Sequence, residues 1–163
     1  MKNILEQNVT YLDGLESIKL YSNYDDVIKF LKDSNIPYNY EFWPNTGCTP
    51  EVPWKVLRIQ NSISLFFAKD KLWKILLENE YKGSLNNGLK LGMSMEDALA
   101  IDSSLEYNDW EEVYTSNNCY DIEDNLDDNT IMSISVFIKE MLDEETFYKY
   151  GVCKLLEWWR FWN

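Results

Sequence analysis

Twice in this chain a short apolar stretch leads into a capped helical pattern and then into alternation of period two, and few folds accommodate that order repeated. Aligning Lys19 with Lys90 sets an offset of 71 residues. Lys19–Ile28 and Lys90–Leu99 then match in character: Ile18 and Leu20, or Leu89 and Leu91, read as short strands ahead of a polar cap. The cap is Ser22 or Asn23 in one segment and Ser94 in the other, with acids in the first turn; Ser94 and Asp97 stand at capping-box spacing. Apolar residues follow at helical spacing, Tyr24, Val27, Ile28 and Leu31 in the first copy and Met95, Ala98, Leu99 and Ile101 in the second. Tyr38-Asn39 and Tyr107-Asn108 come after the helices.

Beyond each helix the period falls to two. Ile63, Leu65 and Phe67 alternate with Ser62 and Ser64, with Phe66 breaking the pattern, and a turn at Asp70-Lys71 returns the chain through Leu72–Leu77. In the second copy Tyr120 and Ile122 alternate with Asp121 and Glu123. A turn at Asp127–Asn129 then leads to Ile131–Ile138, where Met132, Ile134, Val136 and Ile138 are expected on one face and Ser133 and Ser135 on the other. Two such units predict an α+β fold, a two-layer sandwich of antiparallel sheet with helices on one face, built from two strand–helix–hairpin repeats. Repeat one spans about 15–80 and repeat two about 85–140 of a single domain, with a C-terminal segment, 141–163, docked on it. Gly83 and the Ser84–Gly88 stretch form the seam, and the Trp43–Pro53 loop, with three of the four prolines, is an irregular excursion. A chain of 163 residues buries about 70% of the surface its unfolded form exposes, enough for one core.

Charge is distributed unevenly over this frame. From Leu91 to Ile138 there are twelve acids and no Lys or Arg, while the first ninety residues carry eleven of each sign, so this third holds nearly all of the net charge of −13. Solvated faces normally intersperse lysine. An uncompensated negative field repels nucleic acid and anionic membrane and attracts cationic proteins. Affinity for nucleic-acid phosphates needs Lys and Arg, so nucleic-acid binding is disfavoured. No apolar run reaches the ~20 residues of a membrane span. The first residues hold no secretory apolar core, so a cytoplasmic protein is expected.

Several chemistries find no support. Histidine is absent, which removes the commonest general base and imidazole metal ligands. Cys48, Cys119 and Cys153 form no Cys-x-x-Cys pair and read as buried free thiols. Numbered from Asp121, a calcium loop puts Leu126 where glycine is required and Met132 where a bidentate Glu is required. The glycines of Gly83–Gly92 lack phosphate-loop spacing. No cofactor is predicted and no catalytic residue is assigned. A looser carboxylate metal site, serving a metal-dependent hydrolase, stands as the alternative reading, together with a nucleic-acid mimic that blocks a DNA-binding protein.

Aromatics mark the segment that carries the prediction. Tyr107, Trp110 and Tyr114 are interleaved with Glu106, Asp109, Glu111 and Glu112. Tyr and Trp offer stiff contact area with a polar tip, as interface anchors do; the competing reading packs Trp110 and Tyr114 under the sheet edge. The candidate partner-binding set is Glu106, Asp109, Trp110, Glu111, Glu112 and Tyr114, rimmed by Asp121, Glu123, Asp124, Asp127 and Asp128. The aromatic run Leu155–Trp162 is expected as a terminal element on the core, against the alternative of an exposed adhesive patch.

From Tyr81 to Glu140, the Tyr81–Ala98 run, Glu106–Tyr114, Asp121–Leu126 and Ile134–Ile138 together resemble small acidic bacterial immunity proteins of polymorphic toxin and contact-dependent growth inhibition systems. Leu91–Leu99 also resembles the strand–turn–helix opening of repeats in the β-lactamase-inhibitor-like fold. The first resemblance implies a non-catalytic inhibitor whose partner is a cognate basic protein toxin, of nuclease type. The second implies tandem units sharing one sheet.

Overall fold

The two period-two regions become two four-stranded meanders of one sheet. The computed structural model describes residues 2–44 and 52–142. A two-stranded ribbon, β1 (Val9–Thr10) and β2 (Gly14–Leu15), precedes α1 (Tyr24–Asp33). Then come β3 (Asn39–Trp43), β4 (Trp54–Ile59), β5 (Ile63–Ala68) and β6 (Lys71–Leu77). The second half repeats the order: α2 (Met95–Ile101), β7 (Glu106–Asn108), β8 (Val113–Ser116), β9 (Tyr120–Asn125) and β10 (Thr130–Phe137). All eight strands from β3 on join one antiparallel sheet, in the order β3-β4-β5-β6-β10-β9-β8-β7. The fold is α+β, as expected.

Turn chemistry fixes the registers. Gln60 and Asn61 both have positive φ between β4 and β5, as do Lys69 and Asp70 between β5 and β6. The first connection leaves three residues, Gln60, Asn61 and Ser62, between the paired Ile59 and Ile63, and the second leaves two, Lys69 and Asp70; these registers put Ile63, Leu65 and Ile75 on one face. The second turn sits one residue before the expected Asp70-Lys71, because Lys71 already pairs with Ala68.

One face of the sheet carries the core. Leu57, Leu65, Ile75, Ile122, Ile134 and Val136 are all inaccessible or nearly so; full burial of one such side chain stabilises by about 2 kcal/mol. α1 buries Val27 and Leu31 on this side, where Tyr24 meets the Phe67 ring edge-on at 5.2 Å. α2 buries Met95 and Ala98, and the Ser94 side chain caps Asp97 N as predicted.

The segments entering the two helices make matching backbone contacts. Tyr21 N and Tyr24 N donate to Leu72 O and Asp70 O, while Leu72 N returns to Ser22 O. Gly92 N and Met95 N donate to Ile131 O and Asn129 O, while Ile131 N returns to Met93 O. The partners on the entering segments differ by the offset of the sequence alignment.

Four expectations need correction. Ile18, Leu20 and Leu89 are buried but lie outside strands, held by turns, and Leu91 likewise lies in a turn. Met132 is exposed and Ile131 buried, because a bulge between Ile131 and Ser133 inserts one residue and inverts the alternation. Trp43 belongs to β3, so the excursion begins after it. Asn23 precedes α1 without a side-chain cap bond to the backbone. Cys119 is buried and free. Cys48, Cys153, most of the proline-bearing loop and nearly all of the C-terminal segment lie outside the described residues.

Candidate functional site

Opposite the helices, the sheet's second face forms an open cleft of about 810 Å³. Because strand side chains alternate, cross-strand partners share a face. One row of this face runs Glu106, Thr115, Asp121, Ser135, Leu76 and Ser64, from β7 across to β5. A neighbouring row places Phe137, Lys74 and Phe66 side by side.

The acidic wall comes from β7 to β9. The Asn108 side-chain oxygen accepts from Trp110 N at 3.0 Å and Glu111 N at 3.3 Å, an Asx turn that opens the β7–β8 loop. Trp110 is 47% exposed at this tip. Thr115 Oγ1 donates to Asp121 at 2.7 Å and Ser133 Oγ to Glu123 at 3.0 Å, which orients both carboxylates along the sheet. Glu106, Asp109, Glu111, Asp121 and Glu123 therefore line one cleft, together with Trp110.

The remaining predicted residues lie elsewhere. Tyr114 pairs with Tyr107 and Ile122 on the helix side and is partly packed on the core, the sheet-edge alternative for that residue. Tyr107 and Tyr114 rings meet at 5.0 Å. Desolvation and then the charges of Glu112, Asp124 and Asp109 push the Tyr107 phenol up. Asp127 and Asp128 sit in the exposed β9–β10 turn, where Asp127 N donates to Asn125 and Asp128 accepts from Thr130. The twelve acids thus divide between the cleft, the helix side and strand-end turns, because period two sends Asp121 and Glu123 one way and Ile122 and Asp124 the other.

The opposite wall was not anticipated. Trp54 and Trp73 line it, with ring centroids 5.1 Å apart, and they belong to a ring cluster completed by Phe66 and by Trp43, which stacks on Trp54 at 5.8 Å. The signal was present in the sequence: Phe66 breaks the alternation of β5, and Trp73 is the one aromatic residue of β6. What sequence could not give is the bulge opposite Phe66–Phe67, which lets consecutive Trp73 and Lys74 reach the same face. Lys74 Nζ stands 5.2 Å from the Phe66 ring centroid and 5.8 Å from that of Trp73.

Among the described residues no carboxylate is within ion-pair distance of Lys74. Desolvation pushes its ammonium down, opposed by Asp121, Glu111 and Glu123. Trp73 is 4% exposed, and its indole N–H has no acceptor among the described residues.

Beneath the second half, on the helix side, lies a buried polar knot. Asp102, at the end of α2, accepts from Ser104 Oγ at 2.7 Å, Ser116 Oγ at 2.6 Å and the Tyr120 hydroxyl. Burial alone would raise this carboxyl, but the Ser104, Ser116 and Tyr120 bonds overcome it and hold it well below the usual range. Among the described residues no three acids or thiols converge closely enough to share a metal ion. The cleft can bind a cationic, partly aromatic surface; its carboxylates are aligned by hydroxyls along the sheet. No family model, curated protein or solved structure matches the chain.

Proposed function

We propose that this protein is a non-catalytic inhibitor that binds a basic protein, acting as an immunity protein against a cognate toxin of the nuclease type. The observation that carries this reading is the gathering of Glu106, Asp109, Glu111, Asp121 and Glu123 with exposed Trp110 on one open sheet face. Aligned carboxylates steer a cationic partner and raise its association rate, while a buried aromatic contact supplies most of the affinity. Trp54 and Trp73, which line the same cleft, give it an apolar side against which such a contact can close.

The fold is read as a duplication, each unit a helix followed by a four-stranded meander. The matched hydrogen bonds entering α1 and α2, and the central pairing of the last strands β6 and β10, support it. Duplication followed by divergence accounts for one half of the open face being aromatic and the other acidic.

This reading expects a large secreted protein to be encoded beside this chain, and the test is co-expression with that protein's C-terminal domain. Growth is restored by the wild-type chain and not by a variant carrying Glu106→Lys, Asp109→Lys, Glu111→Lys and Glu123→Lys that remains folded. Equal protection by both chains, or none by either, overturns the reading.

A further inference from the structure

We infer that Trp73 and Lys74 form a carboxylate-receiving subsite on the floor of the cleft, so that its occupant presents an anionic group there and cationic groups to the acidic wall. This rests on the reading above and specifies the chemistry of the partner segment. Two adjacent donors on this floor lack acceptors among the described residues. The Trp73 indole N–H is buried without a hydrogen-bond partner, a state that protein interiors rarely tolerate. The Lys74 ammonium lies against Phe66 and Trp73 with no carboxylate in ion-pair range among the described residues.

Both missing partners are acceptors, and one of them must meet a charge. A carboxylate satisfies the two together, since it has two oxygens and makes its shortest, strongest bonds to charged donors. Cross-strand order places Lys74 two strands from Asp121, with β10 between, so the floor and the acidic wall are separate parts of one cleft. A mixed-charge segment, with a carboxylate side chain or terminus beside Arg or Lys, spans them. A purely cationic segment would leave Trp73 and Lys74 unanswered.

Free L-arginine, its methyl ester and acetate are suitable probes on the isotope-labelled full chain at constant ionic strength. Each is titrated to about 100 mM, where contacts of millimolar strength saturate. The readout is the Trp73 indole N–H resonance, assigned with Trp73→Phe. Arginine should shift it, and acetate should shift the same resonance more weakly. The ester, which keeps the guanidinium but has no anion, should perturb the β7–β9 wall and leave the indole in place. Lys74→Met should weaken arginine by about tenfold, the loss expected for one charge-assisted contact, and leave the ester bound at least as tightly, since Lys74 lies in the field of Asp121, Glu111 and Glu123. An indole unmoved by arginine, moved equally by the ester, or shifted equally in Lys74→Met overturns the subsite. If the ester binds while the indole stays still, only the subsite fails. If no cation perturbs the wall, the reading of the acidic face fails instead.

Discussion

Tyr120, fully buried in β9, donates its hydroxyl hydrogen to Asp102 at the end of α2, while Asn87 from the seam donates to the same hydroxyl at 3.1 Å. This knot ties helix, seam and sheet together in the second half. Asp102→Asn puts an amide donor where Ser116 and Tyr120 already donate, and should destabilise by about 2–3 kcal/mol. Tyr120→Phe removes one donor and should cost about 1–2 kcal/mol, and the double mutant should lose less than the sum. Urea midpoints of the four chains check this.

The knot also fixes a pH dependence. Asp102 titrates below its unfolded value, so its contribution is present above the ordinary aspartate range and declines as pH falls toward the folded value. Tyr120 is raised by desolvation and by its bond to Asp102, so its contribution is lost as pH rises through the tyrosine range. Asp102→Asn should flatten the acid limb of stability against pH.

Lys74 works in the opposite sense. Desolvation lowers its folded value, so the unfolded chain holds the proton more tightly and this term favours folding increasingly as pH approaches the ordinary lysine value. Lys74→Met should remove that slope and leave the unliganded protein unchanged or more stable, by up to about 1 kcal/mol at neutral pH. Thermal unfolding of both chains over the alkaline range measures it.

The bulge in β10 gives adjacent residues opposite tolerances. Met132→Lys should shift stability by no more than about 0.5 kcal/mol, since Met132 is exposed. Ile131→Ala should cost about 2–4 kcal/mol, since Ile131 is 2% exposed. Equal effects would contradict the register.

Gly83 is held where the chain passes the N-terminal segment. A β-carbon there would collide with the Gln7 carbonyl oxygen and the Tyr81 hydroxyl, which donates to that oxygen at 2.7 Å. Gly83→Ala should therefore destabilise by about 2 kcal/mol or more, while Gly88→Ala meets nothing nearby and tests only backbone strain at φ +94°. Chemical denaturation separates the two.

Charge reversal at Glu111 and Glu123 should slow association with a basic partner by about tenfold or more at low salt, with the difference shrinking as salt rises. Reversal at Asp127 and Asp128, out on the turn, should do much less. Stopped-flow binding at two ionic strengths checks the contrast.

Much of this protein is local chemistry. The Ser94 cap of α2, the apolar spacing of α1, the β5–β6 hairpin and the existence of strands β9 and β10 follow from side-chain period and turn residues near in sequence. The concentration of acids in one third of the chain is likewise a property of sequence alone. Tertiary structure decided where those acids point: strand alternation splits Glu123 from Asp124, and a single inserted residue sends Met132 outward. It also brought Trp54, Phe66, Trp73 and Lys74 to a common floor, through pairings between β4, β5 and β6 and a bulge with no signature of its own. Period and propensity act over a few residues, whereas register and bulges are settled by the whole sheet's packing, and that is why the cleft emerged only in three dimensions.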